Sequence, residues 1–472
     1  MNNSKPELEA KYGLPITNQK GAIALNTIFF SASFLEENEI IYEPIKKSFL
    51  LYNPEEGVWA PVSDAHIHNK VEEFLLTFAR THRLKQEIIT KLSATFISGV
   101  IKSLAGKCEN SLTRKTNGYP IHCANTMLEW NGFKWVSCPF SPSYFSRNRN
   151  PIPYDVEAGC PRFLKKLLAP AMTESDIALL QLYFGQCLLG VNLSHPFLLL
   201  TGTAGGGKST LVNVIEGVIG RNNCTELRTE FLNGRFEISR TYNKTLLTAK
   251  DVPGNFLSTA GAQRLKALTG KDTVTLEYKN SNESIDLVGT FNAIITSNTI
   301  LRLHFDGDEE AWRRRLLWIR YDRPPVTEKI VDFDQQLLDE EGSGILNWAL
   351  DGAAALLRKH GELLRDEEQK KRIDYLLASS IPLEAFVREH VIPDTEYMVT
   401  TETLVYAFKQ YSDKMKWPQL PTRIIERELP EAMRRIYAAN KRTDISVNGK
   451  FRRGYKYFRL RPIASQDSQG TV

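Results

Sequence analysis

The chain has 472 residues, of which 42% are hydrophobic, 24% charged and 10% aromatic. These are globular proportions at a length that suggests about three domains, and they exclude wholesale disorder and collagen-like or low-complexity architecture. The formal net charge is only +5, yet eight Lys or Arg against one acid, Asp444, stand between Asn440 and Arg461; a basic C-terminal module on a near-neutral body points to an anionic polymer as partner.

Residues 1–20 are polar and are expected to be loosely ordered. Residues 21–35 are apolar, but Asn26 and Thr27 interrupt the run and Glu36 and Glu37 follow it, so it reads as core structure and not as a signal peptide. Residues 48–59 predict two short strands around the Pro54-Glu55-Glu56-Gly57 turn. Two helices should follow, the first on the spacing of Val71, Phe74, Leu75 and Phe78, the second on Ile88, Leu92, Phe96 and Val100, with Gly106 past its end. Asp64-Ala65-His66-Ile67-His68 is read as a helix-start loop. Six scattered cysteines, with no CxxC, read as reduced thiols and place the chain in a bacterial or host cytoplasm. Cys108, His122, Cys123 and Cys138 match no zinc-ligand spacing.

Asn131-Gly132 between alternating apolar residues predicts a hairpin over 126–136. Thr173 with Asp176 forms a capping-box start for a helix to about Leu189. The stretch Leu179–Leu200 holds Gln181, Gln186, Asn192, His195 and Pro196, too polar for a membrane span. Phe197–Leu200 is wholly apolar, as in a parallel strand covered on both faces.

That strand runs into Gly202-Thr203-Ala204-Gly205-Gly206-Gly207-Lys208-Ser209, followed by Thr210, which fits the phosphate-binding loop pattern. Glycines let the backbone turn its N–H groups onto a phosphate. The helix starting near Lys208 adds its positive end, and Gly220 ends that helix. Lys208 is expected to neutralise the β- and γ-phosphates of ATP, and the Ser209 hydroxyl to ligate Mg²⁺. A second strand, Thr245–Ala249, leads to Asp251, the candidate carboxylate for Mg²⁺ and the attacking water; the plainer alternative is a turn Asp before Pro253-Gly254. Lys250 stands where many such ATPases carry another acid. A third strand from Phe291 ends at Asn298, an amide able to orient water near the γ-phosphate. Arg313-Arg314-Arg315 precede the strand-like Leu316-Leu317-Trp318-Ile319. Arg314 or Arg315 is the candidate for stabilising charge on a neighbouring subunit's γ-phosphate, the alternative being surface ion pairs to Asp308, Glu309 and Glu310.

Leu265-Lys266-Ala267-Leu268-Thr269-Gly270-Lys271-Asp272, then Glu277-Tyr278-Lys279, resembles the "LKxLTGxD" element of superfamily 3 helicases of the phage/plasmid primase-helicase family, which includes the poxvirus-type primase-helicases. Pro153-Tyr154-Asp155 and Cys160-Pro161-Arg162-Phe163-Leu164 resemble the segment preceding the ATPase in that family, and the arginines before Leu316 resemble its "RRL" motif. The resemblance spans residues 125–325. It implies an AAA+ ATPase that assembles as a ring, usually a hexamer, and translocates on single-stranded or forked DNA, generally 3′ to 5′. It further implies a hairpin at about Thr273–Thr290 pointing into the central channel, with Lys279 near its tip and Lys266 and Lys271 as lesser contacts. No D-x-D carboxylate pair marks a primase site in the first 125 residues, so a separate primase or polymerase is the implied partner.

Residues 380–462 read as helices at 383–390, 401–416 and 422–438, then a hairpin of Ile445–Val447 and Phe451–Leu460 around Asn448-Gly449. This suggests a winged helix, with Lys450, Arg452, Arg453 and Lys456 on or beside the wing as phosphate contacts, and Tyr455 and Tyr457 packing or stacking. The expected fold class is α/β. Its parts are an N-terminal α+β region (1–124), a helical segment (125–190), an AAA+ P-loop ATPase domain with a parallel sheet (191–355), a helical linker (356–379), a winged-helix-like domain (380–462) and a disordered tail (463–472). The expected function is an ATP-dependent replicative DNA helicase of a phage, prophage or plasmid-like element, with no membrane partner. The alternative is a DNA-binding initiator or loader whose ATPase switches assembly.

Overall fold

A computed structural model describes residues 5–19, 22–44, 46–108, 118–279, 284–303, 308–324, 330–415, 417, 419–447 and 450–461. The expected tail at 463–472 and the Asn448-Gly449 turn lie outside these.

The N-terminal residues expected to be loose instead include the helix Lys5–Tyr12 and the strand Ile16–Gln19, which pairs antiparallel with Ala22–Leu25. Leu8 anchors the helix in the same apolar cluster as Phe29, Phe30 and Phe34 of the helix Thr27–Glu37. Two of the three strands of the next antiparallel sheet, Ser48–Asn53 and Val58–Val62, flank the expected turn; Ile40–Glu43 is the third. Ser63 caps the helix Asp64–Thr81 by accepting from the His66 N–H at 3.2 Å. The second expected helix is split into Gln86–Ile89 and Ala94–Lys107, because Ser93 caps a new start, and Gly106 falls inside the second piece.

The central sheet has five parallel strands in the order Cys224–Glu226, Leu246–Ala249, Asn292–Ser297, Phe197–Gly202, Leu316–Tyr321. Leu198 and Leu200 of the fourth strand in that order pack into one core cluster, Phe197 and Leu199 into another. Burial on both faces explains why this strand reads as an unbroken apolar run.

One of those clusters reaches beyond the boundaries expected from sequence. It joins the sheet to residues 121–189 and to the 26-residue helix Phe333–Arg358. The segment 125–190, expected to be helical apart from a hairpin over 126–136, forms that hairpin as the strands Met127–Trp130 and Trp135–Cys138, which join a small antiparallel sheet with Ile121–His122. It also contributes the helix Glu174–Leu188. Only half of the expected capping box forms. Thr173 accepts from the Asp176 N–H at 3.2 Å, but the Asp176 carboxylate turns to Arg372 at 2.7 Å.

The expected linker is likewise part of the core. The helix Glu367–Ser380 buries Ile373, Leu376 and Leu377 against the second face of the sheet, and its Gln369 amide donates to the Trp318 carbonyl and accepts from the Trp318 N–H at 3.2 Å. Beyond it come the helices Pro382–His390, Thr401–Lys414 and Thr422–Tyr437. They pack on a three-stranded antiparallel sheet in which Lys450–Leu460 lies between Val391–Thr400 and Arg442–Val447. The strand Val391–Thr400 is additional to the sequence expectation; β-branched and charged residues with one proline gave it no clear periodicity. Among the described residues no helix is long and apolar enough to cross a membrane, and the six cysteines carry free thiols.

The helices Glu174–Leu188 and Phe333–Arg358 cross so closely at Gly185 and Gly352 that a Cβ on Gly185 would overlap the backbone at Gly352 and Ala353. Gly185→Ala should therefore cost about 1–3 kcal/mol through overpacking and lower Tm in a circular-dichroism melt. Gly106→Ala, where a Cβ meets open space, should not lower it.

Candidate functional site

The strand Phe197–Gly202 delivers the glycine-rich loop to the carboxyl end of the sheet, and the helix Lys208–Ile219 leaves from it. Gly205 and Gly207 take φ values of +76° and +105°, in the left-handed region that glycine enters without steric cost. A Cβ on Gly202 would overlap the Tyr321 carbonyl of the neighbouring strand.

Lys208 is only 4% exposed. Its ammonium donates to the Gly202 and Thr203 carbonyls, both at 2.9 Å, and to Asn298 Oδ1 at 2.8 Å. Burial pulls its pKa below the ordinary lysine value, and the Asp251 carboxylate opposes that shift. Asn298 completes a chain by donating from Nδ2 to Asp251 Oδ1 at 3.3 Å. Asp251 follows the strand Leu246–Ala249 in a left-handed turn, φ +53°, fixed by its own N–H donating to Thr296 Oγ1 at 2.9 Å. Three adjacent strands thus bring Lys208, Asn298 and Asp251 together. Lys250 does not join them. Its ammonium reaches Glu216 at 3.0 Å and Asn213 at 2.7 Å on the helix behind the loop, so the missing second acid is a structural lysine.

Ala204, Gly205, Gly207, Lys208, Ser209, Thr210, Asp251 and Asn298 line one cavity of about 610 Å³. Gly206 is buried beneath it, where a Cβ would lie 3.1 Å from the Arg323 carbonyl. The opposite wall comes from residues that sequence reasoning missed: Lys165, Lys166, Leu167 and Pro170 on one side, Arg323, Ile330 and Phe333 on the other. Tyr321 OH donates to the Leu167 carbonyl at 3.0 Å and Arg323 to the Lys166 carbonyl at 2.9 Å, which clamps that wall to the end of the strand Leu316–Tyr321. Arg323 carried a readable signal. It stands just past a strand end, as Asp251 and Asn298 do. The described lining has four cations and one carboxylate, a balance that favours a polyanion with an apolar portion resting on Leu167, Ile330 and Phe333.

The arginines occupy the other end of the sheet. Leu316 pairs with Phe197 and Tyr321 with Gly202, so Arg314 and Arg315 precede the strand end farthest from the loop, about 17 Å away at strand rise. Arg313 takes the expected ion pairs, to Glu309 and Glu310 at 3.0 and 3.1 Å, and adds Asp374. Arg314 Nε donates to the Glu310 carbonyl at 3.4 Å, and Arg315 to the Ala311 carbonyl at 3.3 Å. Burial lowers the Arg315 pKa, with Asp272 opposing and Arg314 adding to the shift. His195 lies near Lys271, Arg315 and Arg314, and burial first, then these charges, lowers its pKa.

The strands Thr273–Glu277 and Ser284–Val288 form the expected hairpin, with Lys279 exposed beyond the first and residues 280–283 outside the description. Lys271 is exposed at its base, at φ +64°. Lys266 corrects the expectation. It is 7% exposed, ion-paired with Asp308 and set 4.8 Å from the Trp312 ring centroid, so it serves the core and offers no free charge to a channel. In the C-terminal sheet Lys450, Arg452 and Arg453 are exposed, whereas Lys456 is held by Asp444 at 2.9 Å. Tyr455 packs in the core, its hydroxyl pushed up to about 12 by burial, and Tyr457 is exposed.

Residues 200–315 match a protein family of unknown function, DUF5906. No curated protein matches the chain in sequence. Among solved structures it is similar to apo structures of the NrS-1 C-terminal region, at 13–14% identity and a TM-score of 0.48, over 91% of this chain and 99% of that one.

A buried, charge-assisted donor is worth about 1.5–3 kcal/mol. Lys208→Ala should therefore weaken binding of inorganic tripolyphosphate by roughly tenfold or more in titration calorimetry, with the fold kept by circular dichroism.

Proposed function

We propose that the chain is an ATP-dependent DNA helicase motor of the superfamily 3 type, serving replication of a phage, prophage or plasmid-like element. In this reading residues 191–355 hold a P-loop ATPase, and the C-terminal helices and sheet form a winged-helix-like DNA-binding module. The observation that carries it is the convergence of Lys208, Asn298 and Asp251 from three parallel strand ends around a glycine-rich loop, in a cavity with a cationic lining.

The residues fit ATP with Mg²⁺. The loop glycines leave space where side chains would stand, and Lys208 is a buried cation whose present partners are neutral oxygens. Lys208 and the loop N–H groups would hold the phosphates, while Leu167 and Phe333 supply apolar surface at the other end of the cavity. Ser209 and Asp251 would hold Mg²⁺, which when bound neutralises charge on the β- and γ-phosphate oxygens. Asp251, exposed at its strand end, would polarise the attacking water by accepting a hydrogen bond from it, and Asn298, donating to the same carboxylate, would fix that carboxylate's direction. Arg314 or Arg315 would act on the nucleotide of an adjacent copy, which makes the working form an oligomer, a hexameric ring in this reading. Lys271 and Lys279 would meet the phosphates of single-stranded DNA passing the hairpin, by charge and without sequence preference.

The test is ATP hydrolysis by the purified chain with and without single-stranded DNA. Lys208→Ala should abolish hydrolysis, and Asp251→Asn should lower kcat by about 10²–10⁴. Single-stranded DNA should stimulate the wild type, and Lys279→Ala should remove that stimulation. Hydrolysis by Lys208→Ala at the wild-type rate would overturn the site; hydrolysis indifferent to DNA would favour the initiator or loader reading.

A further inference from the structure

Two surfaces of the C-terminal module could meet DNA, and their charges differ in kind. The helix Thr422–Tyr437 exposes Arg423, Arg427, Arg434 and Arg435, but also Glu426, Glu428 and Glu431. Several of these neutralise one another: Arg427 pairs with Glu428 at 2.8 Å, and Arg435 with Glu431 at 2.9 Å and Glu384 at 3.1 Å. Carboxylates on a helix face repel the phosphates that would have to flank it in a groove.

The hairpin end is different. Lys450 and Arg453 are exposed and pair with no carboxylate among the described residues, and Arg452 meets Glu402 only at 3.8 Å. Among these three cations stands Phe451, 76% exposed, on the strand that pairs Ser446 with Phe451 and Val447 with Lys450 at the hairpin's outer end. A large aromatic side chain left in water at the end of a projecting hairpin gains nothing from its own core, which holds Tyr455 and Phe458 instead. An aromatic face stacks on any unpaired base; Arg453 shares its strand face and Lys450 and Arg452 occupy the other, so cationic charge lies on both faces of the hairpin for the phosphates.

The geometry points to a junction-binding site in which Phe451 stacks on an unpaired base where duplex opens into single strand, while Arg453 on the same strand face, and Lys450 and Arg452 on the opposite face, supply cationic charge to the backbone on the two sides of the hairpin. This rests on the DNA-motor reading and deepens it: the module recognises forked DNA through its hairpin and does not read duplex sequence through the helix Thr422–Tyr437. The ligand is a nucleic acid with a paired and an unpaired part, since stacked bases within a closed duplex offer no free face.

The test measures binding of the full chain, without nucleotide, to fluorescently labelled forked DNA, blunt duplex and single strand of matched length, by anisotropy. The wild type should prefer the fork. Phe451→Ala should weaken fork binding at least about fivefold and blunt-duplex binding much less. Phe451→Trp should keep the preference and Phe451→Leu should lose it, which separates stacking from bulk. Arg453→Ala should weaken all three ligands and reduce the slope of log affinity against log salt on duplex by about 1. Arg427→Ala should change none of them. A 2-aminopurine placed at the junction should be quenched by the wild type and not by Phe451→Ala. A wild type that binds fork and blunt duplex alike, or a Phe451→Ala chain that keeps the fork preference, overturns the inference. Neither result touches the motor reading, whose readout is DNA-stimulated hydrolysis.

Discussion

A lysine ammonium held almost out of water is tolerable only when its donors are satisfied, and Lys208 satisfies them with two backbone carbonyls and one side-chain amide. Much of the central architecture follows from that requirement. The two carbonyls come from the loop's own entry, so the loop must turn back over its lysine, and glycines at positive φ permit the turn. The amide comes from the next strand, so Asn292–Ser297 must end level with Phe197–Gly202, as the parallel register provides. Asn298 then has a free N–H₂ group, which reaches Asp251 on the following strand. One charge therefore fixes the relative heights of three strand ends. An anion entering the cavity exchanges neutral oxygens around Lys208 for charged ones, a gain that needs no rearrangement of the sheet.

The sequence made this half of the molecule readable because each part is local. An apolar run, a glycine pattern and a polar residue just after a strand are all visible within ten residues. The strand ends at Asp251 and Asn298 and the hairpin after Asp272 were legible for the same reason. What escaped was non-local. Lys165, Lys166 and Phe333 reach the cavity only because Tyr321 and Arg323 clamp one segment and a long helix crosses behind the loop. The stretch before Ser380 reads as a helical linker in one dimension, yet Gln369 and Ile373 face the sheet once the helix is placed. Lys266 looked like a free cation within a recognisable motif. Trp312 and Asp308, more than forty positions away in sequence, claim it.

Parallel strands give the sheet two unlike ends. The carboxyl end carries the loop, Asp251, Asn298 and Arg323. The amino end carries Arg314 and Arg315 with Lys271 and His195 close by. Burial lowers the Arg315 pKa, which marks an incompletely solvated cation that a further anion would stabilise. An anion-accepting end and an arginine end on opposite sides of one subunit cannot serve each other within the chain. In the proposed motor reading they would complement each other between copies, in a head-to-tail contact, and such a contact closes into a ring when its rotation closes.

The strand Leu316–Tyr321 ties these ends to the C-terminal module. It starts immediately after Arg315, ends two residues before Arg323, and along the way bonds through Trp318 to Gln369 of the helix Glu367–Ser380. Arg372 of that helix holds Asp176 at 2.7 Å on the far side, so the helix is pinned at two points to the core around the parallel sheet. Two residues after it ends, the helix Pro382–His390 begins, and its strand continuation pairs with Lys450–Leu460. A displacement of that strand, from a change at either of its ends, has a continuous packed route to the hairpin that bears Phe451. The hairpin proposed to bind the junction is thus not a tethered accessory but the outer end of a packed path that starts at the cavity around Lys208. Charge at the hairpin and charge at Lys208 act on two parts of one framework.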